Sequence, residues 1–245
     1  MSRKNNILKD LLPLLFLFAY VLYSSIIRKY ALANIEDTKV IFAQSVLKLI
    51  GALMLLVYIY ANFKGVLKRD WEIFRKRSLS KFLWIALGWV GIVIILNLSR
   101  GVIDIFRTNE IIPNWNPIKY VDESGGSVLM DSMVQIIIFI TSLIVVLPKE
   151  MILRHCVFLN NVETNPTPVR IITFALLSSL ITGLTYLSIN STFIVCVPYM
   201  FSSLVLVLMY WQSRNIWYSL ITHFLFVIIG LISNYTGFIL TIYLA

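Results

Sequence analysis

The sequence predicts an all-α fold, a polytopic bundle of about seven transmembrane helices. Of its 245 residues, 59% are hydrophobic and only 13% are charged, and the mean hydropathy is +0.84. A soluble domain is nearer half apolar and a quarter charged, so the excess apolar surface must face lipid. Apolar stretches of about 20 residues also recur along the chain, and each is long enough to cross the hydrocarbon core of a bilayer as a helix.

Seven stretches have this length or come close to it, and together they make one membrane domain over 1–245. A last short segment, 235–245, is too brief to cross the bilayer alone, and it either continues the seventh helix or forms part of an eighth. The longest loop is expected at about 99–132. The predicted spans are 11–27, 40–63, 82–98, 133–158, 169–187, 193–211 and 216–233.

Lys and Arg residues set the expected orientation. With the N-terminus inside, the inside segments and span ends hold fourteen Lys and Arg residues and the outside segments hold six, mostly because of the basic run at 64–81. Basic residues gather on the cytoplasmic side of membrane proteins, so we predict a cytoplasmic N-terminus. The net charge of +9 lies in short runs beside apolar segments, which predicts contact with membrane lipid and no binding of nucleic acid.

Ionisable residues within the spans are the functional candidates, because charges in a bilayer are costly. Glu150 and Arg154 are four residues apart, on one face of a helix beside Lys149, and form either an internal salt bridge or part of a site. His223 lies roughly 10 Å along its helix from the cytoplasmic end, where it either bonds a neighbouring helix or belongs to a site. Lys48 either extends its amine toward the interface or pairs with an acid.

Three segments resemble the signatures of a known family. The CPBP family, the CAAX-protease and bacteriocin-processing group also called Abi, carries the motifs EExxxR, FxxxH and HxxxN on separate membrane helices. The resemblance covers about 133–230, and it implies a membrane-helix bundle in the plasma membrane of a bacterium. The corresponding segments here, in the same order and with similar spacing, are 148–154, 178–187 and 215–223.

Three of the seven signature residues are kept, and four are replaced. The kept residues are Glu150, Arg154 and His223, which we predict to be the remnant of a catalytic site. Lys149 stands at the first glutamate of EExxxR, Thr182 and Tyr186 replace the Phe and His of FxxxH, and Val227 replaces the Asn of HxxxN. Along an ideal helix Tyr186 lies roughly 24 Å beyond Arg170, so either the fifth span starts well after Arg170 or Tyr186 lies at a different depth from Glu150 and His223.

The replacements remove the groups on which the implied chemistry depends. In active members the first glutamate, helped by a histidine, is thought to activate the water that attacks a peptide bond, while an Asn and a His stabilise the oxyanion. Lys149 is no carboxylate base, Tyr186 is a poor proton acceptor and Val227 has no donor, so we expect a degenerate site. Glu150 and His223 supply two metal ligands at most, fewer than the three of a catalytic zinc; we predict no cofactor and leave a metal ion open.

Three functions follow as hypotheses. The first is a CPBP-type protein that binds a peptide or another membrane protein, as in bacteriocin self-immunity or the regulation of envelope proteins. The second is an active intramembrane endopeptidase with a diverged site. The third, a transporter or channel subunit with Lys48 and Glu150 on the path, is disfavoured because the sequence shows no internal repeat.

Overall fold

The computed structural model describes residues 3–33, 38–76, 79–108, 128–163, 165–186 and 193–244. These residues form seven long helical segments and no strand, which confirms the predicted all-α bundle. The fourth segment consists of α4, a π-helix and the short α5, and a 3-10 turn at Phe193–Cys196 leads into α7. The α-helices are α1 Arg3–Ala33, α2 Thr38–Lys76, α3 Ser80–Thr108, α4 Val128–Glu150, α5 Asn160–Glu163, α6 Pro168–Leu184, α7 Val197–Ser213 and α8 Ile216–Leu244.

Several helices are longer than their apolar stretches. α2 continues from the predicted span through the basic run to Lys76, and α3 and α4 extend into the loop expected at 99–132. The remainder of that loop, 109–127, lies outside the described residues. The segment 235–245 continues the helix of the seventh span, α8, as far as Leu244, which is the first of its two predicted alternatives.

The outer surface of the bundle is apolar, as contact with lipid requires. Three helices within the described residues are long and apolar enough to cross a membrane, namely Lys39–Lys76, Ser80–Ile103 and Met133–Glu163. Large apolar side chains such as Met54, which is 68% exposed, point away from the bundle. In water such a surface would be a strong association site, whereas in a bilayer it is the ordinary outer face of a membrane protein.

The π-helix at Met151–Leu159 lies at the centre of the core. Eight of its nine residues are buried, and they pack against α1, α2, α6 and α7. Pro148, one turn before the π-helix, has no backbone N–H to donate to the preceding turn. A π-helix of this length is uncommon, and such segments often mark functional sites.

Small residues and local caps fix where the last three helices begin and end. Thr167 accepts a hydrogen bond from the backbone N–H of Arg170 and starts α6. α7 packs closely on α6 at Gly183, where an added Cβ would lie 2.9 Å from the carbonyl oxygen of Cys196. α7 ends at Ser213; the next residue, Arg214, adopts a left-handed conformation with φ of 51°, and the chain turns directly into α8.

α2 holds the first turn of α8. The Asp70 carboxylate accepts a hydrogen bond from the backbone N–H of Ile216 at 3.2 Å. The Asn215 side chain donates to the carbonyl oxygen of Asp70 at 2.6 Å, and the indole of Trp217 donates to the carbonyl oxygen of Leu67 at 3.0 Å. These bonds fix the start of the helix that carries His223.

Candidate functional site

Glu150, the last residue of α4, is the centre of the buried polar cluster. Its side chain is fully buried, with Oε1 2.8 Å from Nδ1 of His223 on α8 and Oε2 3.3 Å from Nε of Arg154. The four-residue spacing of Glu150 and Arg154 thus produces the ion pair that it predicts. Burial of a carboxylate is tolerated only with such partners, so Glu150 is committed to these two residues.

Arg154 joins the π-helix to α6. The guanidinium is fully buried and donates to the hydroxyl of Ser178 at 2.7 Å and to that of Thr182 at 3.3 Å. Ser178 in turn donates to the carbonyl oxygen of Leu153 at 2.8 Å. Arg154 therefore both neutralises Glu150 and fixes α6 against the core.

The bond from Glu150 assigns the hydrogen position on His223. A carboxylate only accepts hydrogen bonds, so in the neutral imidazole the single N–H is on Nδ1 and donates to Glu150. The other ring nitrogen, Nε2, is then an acceptor. The sequence left open whether His223 bonds a neighbouring helix or belongs to a site, and the structure shows the interhelical bond directly.

Lys149 and Tyr186 contact each other, although both differ from the family motifs. The Lys149 ammonium lies 4.3 Å from the centre of the Tyr186 ring, which stacks on Tyr199 at 3.9 Å with an interplanar angle of 8°. The alternative that places Tyr186 at another depth is therefore wrong. The helical segment that carries Glu150 continues to Glu163, so Glu150 also lies deep in the bundle, roughly 20 Å from that end.

A small, partly open cavity lies beside this cluster. It contains about 300 Å³ of empty space including its mouth. Among the described residues that line it there is no carboxylate, and the hydroxyl of Ser203 is buried there without a hydrogen-bond partner. The lining residues are Ile92, Thr182, Tyr186, Tyr199, Ser202, Ser203, Leu206, His223 and Phe226.

The comparisons with known proteins give one match. Residues 132–229 match the family model described as type II CAAX prenyl endopeptidase Rce1-like. Residues 132–229 are therefore similar to this family, and they are called the Rce1-like domain below. The match agrees with the resemblance to the CPBP family and with its expected extent of 133–230. Neither the curated proteins nor the solved structures include one that matches the chain.

The remaining predicted candidates contribute less to the cluster. Val227, one turn beyond His223 in the Rce1-like domain, is partly buried and offers no polar group. Lys48 is partly buried on α2, outside the Rce1-like domain, and does not line the cavity. The structure therefore gives no support for a path that joins Lys48 to Glu150.

The polar groups of the Rce1-like domain do not fit a metal centre. No group of three or more His, Cys, Asp or Glu side chains lies together among the described residues. His223 offers a single ligand atom, Nε2, because its Nδ1 bonds Glu150, and the second Glu150 oxygen pairs with Arg154. A catalytic zinc usually has three protein ligands, so this donor set does not supply its coordination sphere.

The sequence reasoning missed Ser203 within the Rce1-like domain and Asp70 outside it. A signal for Ser203 was present, because Ser202-Ser203 is a pair of hydroxyls in the middle of an apolar helix. Asp70 lies in a basic run, a pattern that is typical of a solvated surface. In the structure, however, Asp70 is only 1% exposed. In both cases the signal was a polar residue whose surroundings are apolar in three dimensions.

Proposed function

We propose that this protein is a CPBP-type integral membrane protein that binds a peptide or a membrane partner without hydrolysing it. The observation that carries the proposal is that Lys149 and Tyr186 stand where the family motifs have a glutamate and a histidine. The Lys149 ammonium lies 4.3 Å from the centre of the Tyr186 ring. The two positions still meet in space, but an ammonium lies over a phenol ring there. Neither group accepts a proton from water as a carboxylate does.

The retained acid does not replace the lost base. Both oxygens of Glu150 are engaged, one by His223 and the other by Arg154. Its neighbours thus hold the Glu150 carboxylate within the structural core, and no carboxylate is among the described residues that line the cavity. A site with this composition supports recognition by hydrogen bonds better than the activation of water.

The biological setting that fits such binding is the bacterial plasma membrane, with the N-terminus in the cytoplasm. Self-immunity to a bacteriocin and the regulation of envelope proteins both need a membrane protein that recognises another chain. We expect a strain sensitive to a bacteriocin to survive the cognate peptide when it expresses this protein. Survival that is unchanged for each peptide encoded near the gene would contradict the immunity role.

Restoring the family motifs tests the lack of hydrolysis. The protein is reconstituted in lipid vesicles with membrane-inserted peptides, and products are measured by mass spectrometry. We expect no cleavage by the unaltered chain. The variant that combines Lys149→Glu, Tyr186→His and Val227→Asn is expected to gain cleavage, because the first two positions already lie in contact. Cleavage by the unaltered chain would contradict the proposal.

One observation favours the alternative of an active CAAX-type endopeptidase acting near the cytoplasmic face. Glu150 and His223 form a carboxylate–imidazole pair at 2.8 Å, and the imidazole lines a cavity. Such a pair can serve as a base. This alternative requires that the unaltered chain cleaves a peptide and that Glu150→Ala and His223→Ala each abolish this cleavage. It is rejected if the unaltered chain does not cleave.

A further inference from the structure

The cavity presents a buried hydroxyl and a ring nitrogen that have no hydrogen-bond partner among the described residues. The Ser203 hydroxyl is buried on α7, with the residue only 3% exposed, and it has no partner among the described residues. A buried hydroxyl without a partner is costly, which points to a group that is supplied from outside. Ser202, next in the chain, differs because its hydroxyl already donates to the carbonyl oxygen of Pro198.

The acceptor is Nε2 of His223. Glu150 holds the N–H on Nδ1, so the nitrogen at the other end of the ring carries a lone pair. His223 and Ser203 line the same cavity. When the hydroxyl acts as the donor, a ligand that satisfies both groups accepts a hydrogen bond from it and donates one to the imidazole. An amide group has this pairing, with its carbonyl oxygen as acceptor and its N–H as donor.

Depth and size decide which amide can occupy the cavity. Ser203 lies ten residues before the end of α7 and His223 lies seven residues into α8, which places both roughly 10–15 Å inside the bundle. At that depth the backbone amides of a membrane-spanning partner are already bonded within its helix. Much of the 300 Å³ belongs to the open mouth, so the cavity admits the end of a side chain and not an extended strand.

We infer that the cavity is a binding site for the carboxamide side chain of an Asn or Gln residue on a membrane-embedded partner helix. The apolar lining from Ile92, Leu206 and Phe226 suits the methylene part of such a side chain. Ser203 donates to its oxygen, and His223 accepts from its nitrogen. The inference rests on the proposed binding function and specifies which chemical group is recognised.

The test compares model helices in vesicles of phosphatidylcholine that contain the full chain. The peptides are apolar 23-residue helices that differ only at the central position, which is Gln, Leu or Asp, and binding is measured by fluorescence energy transfer. Two interhelical hydrogen bonds predict about tenfold tighter binding of the Gln peptide than of the Leu peptide. This first comparison uses the unaltered protein, so misfolding of a variant cannot affect it.

Three variants then locate the interaction. Ser203→Ala is expected to reduce the tenfold preference to about threefold or less, whereas Ser179→Ala, at a buried hydroxyl that does not line the cavity, keeps it. Glu150→Gln is expected to lower the preference as well, because an amide at this position can also donate to Nδ1 and move the ring hydrogen to Nε2. A merely structural role for Ser203 would weaken the binding of the Gln and Leu peptides alike.

The outcomes separate this inference from the function on which it rests. Equal affinity for the Gln and Leu peptides, or a preference for Asp, overturns the carboxamide site but leaves binding without hydrolysis intact. A preference for Gln that is retained in Ser203→Ala also overturns it. If the Gln peptide binds preferentially and is then cleaved, the carboxamide site stands, while the proposed lack of hydrolysis is contradicted.

Discussion

Removal of the Arg154 guanidinium should destabilise the bundle far more than removal of an ordinary surface charge. Arg154 is fully buried, lies 3.3 Å from the Glu150 carboxylate and donates to Ser178 at 2.7 Å. Arg154→Met leaves the carboxylate buried without its cation. Breaking a buried pair in this way costs about 3–5 kcal/mol. We expect the free energy of unfolding to fall by that amount, whereas the exposed Arg75→Met should change it by less than about 0.5 kcal/mol.

A double-mutant cycle separates the pair from the rest of the core. Unfolding is followed by tryptophan fluorescence as a denaturing detergent is added to the protein in mild micelles. Glu150→Gln alone should also destabilise, because it leaves the guanidinium charge unbalanced. The combined Glu150→Gln/Arg154→Met variant should lose less than the sum of the two single losses. A loss below about 1 kcal/mol for Arg154→Met, or strict additivity, would refute the assignment of a tightly coupled buried pair.

Two further predictions concern the packing and capping of the later helices. Gly183→Ala should lower the free energy of unfolding by about 1–3 kcal/mol, because the added Cβ meets the backbone carbonyl of Cys196, which cannot move aside. The control Gly65→Ala lies in open space on a helix and should raise the free energy of unfolding by about 0.5–1 kcal/mol. Both are read from the same detergent titration, and equal effects would contradict the close approach of α6 and α7. Asp70→Ala should lower the free energy of unfolding by about 1–2 kcal/mol and speed amide hydrogen exchange at Ile216. Unchanged exchange at Ile216 would show that the Asp70 carboxylate does not cap α8.

Hydropathy located the helices well but not their ends. Each predicted span lies on a helical segment of the structure, because the apolar part of a membrane helix has to match the hydrocarbon thickness. The end of a helix follows different rules. α2 continues past the apolar stretch to Lys76, since its basic extension contains no proline and Lys and Arg are good helix formers. The π-helix at Met151–Leu159 has no signature that hydropathy or propensity could detect.

The site could be predicted only in part, for a comparable reason. The i, i+4 spacing of Glu150 and Arg154 is a local relation, so the sequence contains it directly. The contact of Lys149 with Tyr186 depends on the relative positions of two helices along their axes. Counting residues from Arg170 along an ideal helix does not give these positions. The unused hydroxyl of Ser203 likewise becomes visible only once the neighbouring helices are in place.

The lining of the cavity and the contacts that position one of its helices come partly from helices that precede the matched region. Ile92 on α3 closes one side of it, and Asp70 on α2 anchors the turn from which the helix of His223 starts. Both residues lie outside 132–229. A shortened protein that kept only the matched region would leave one side of the cavity open to lipid, and the first turn of α8 would lack its hydrogen bonds to α2. We therefore expect that the matched region does not fold as a separate module, and that mutations in the first three helices alter ligand selection without touching any signature residue.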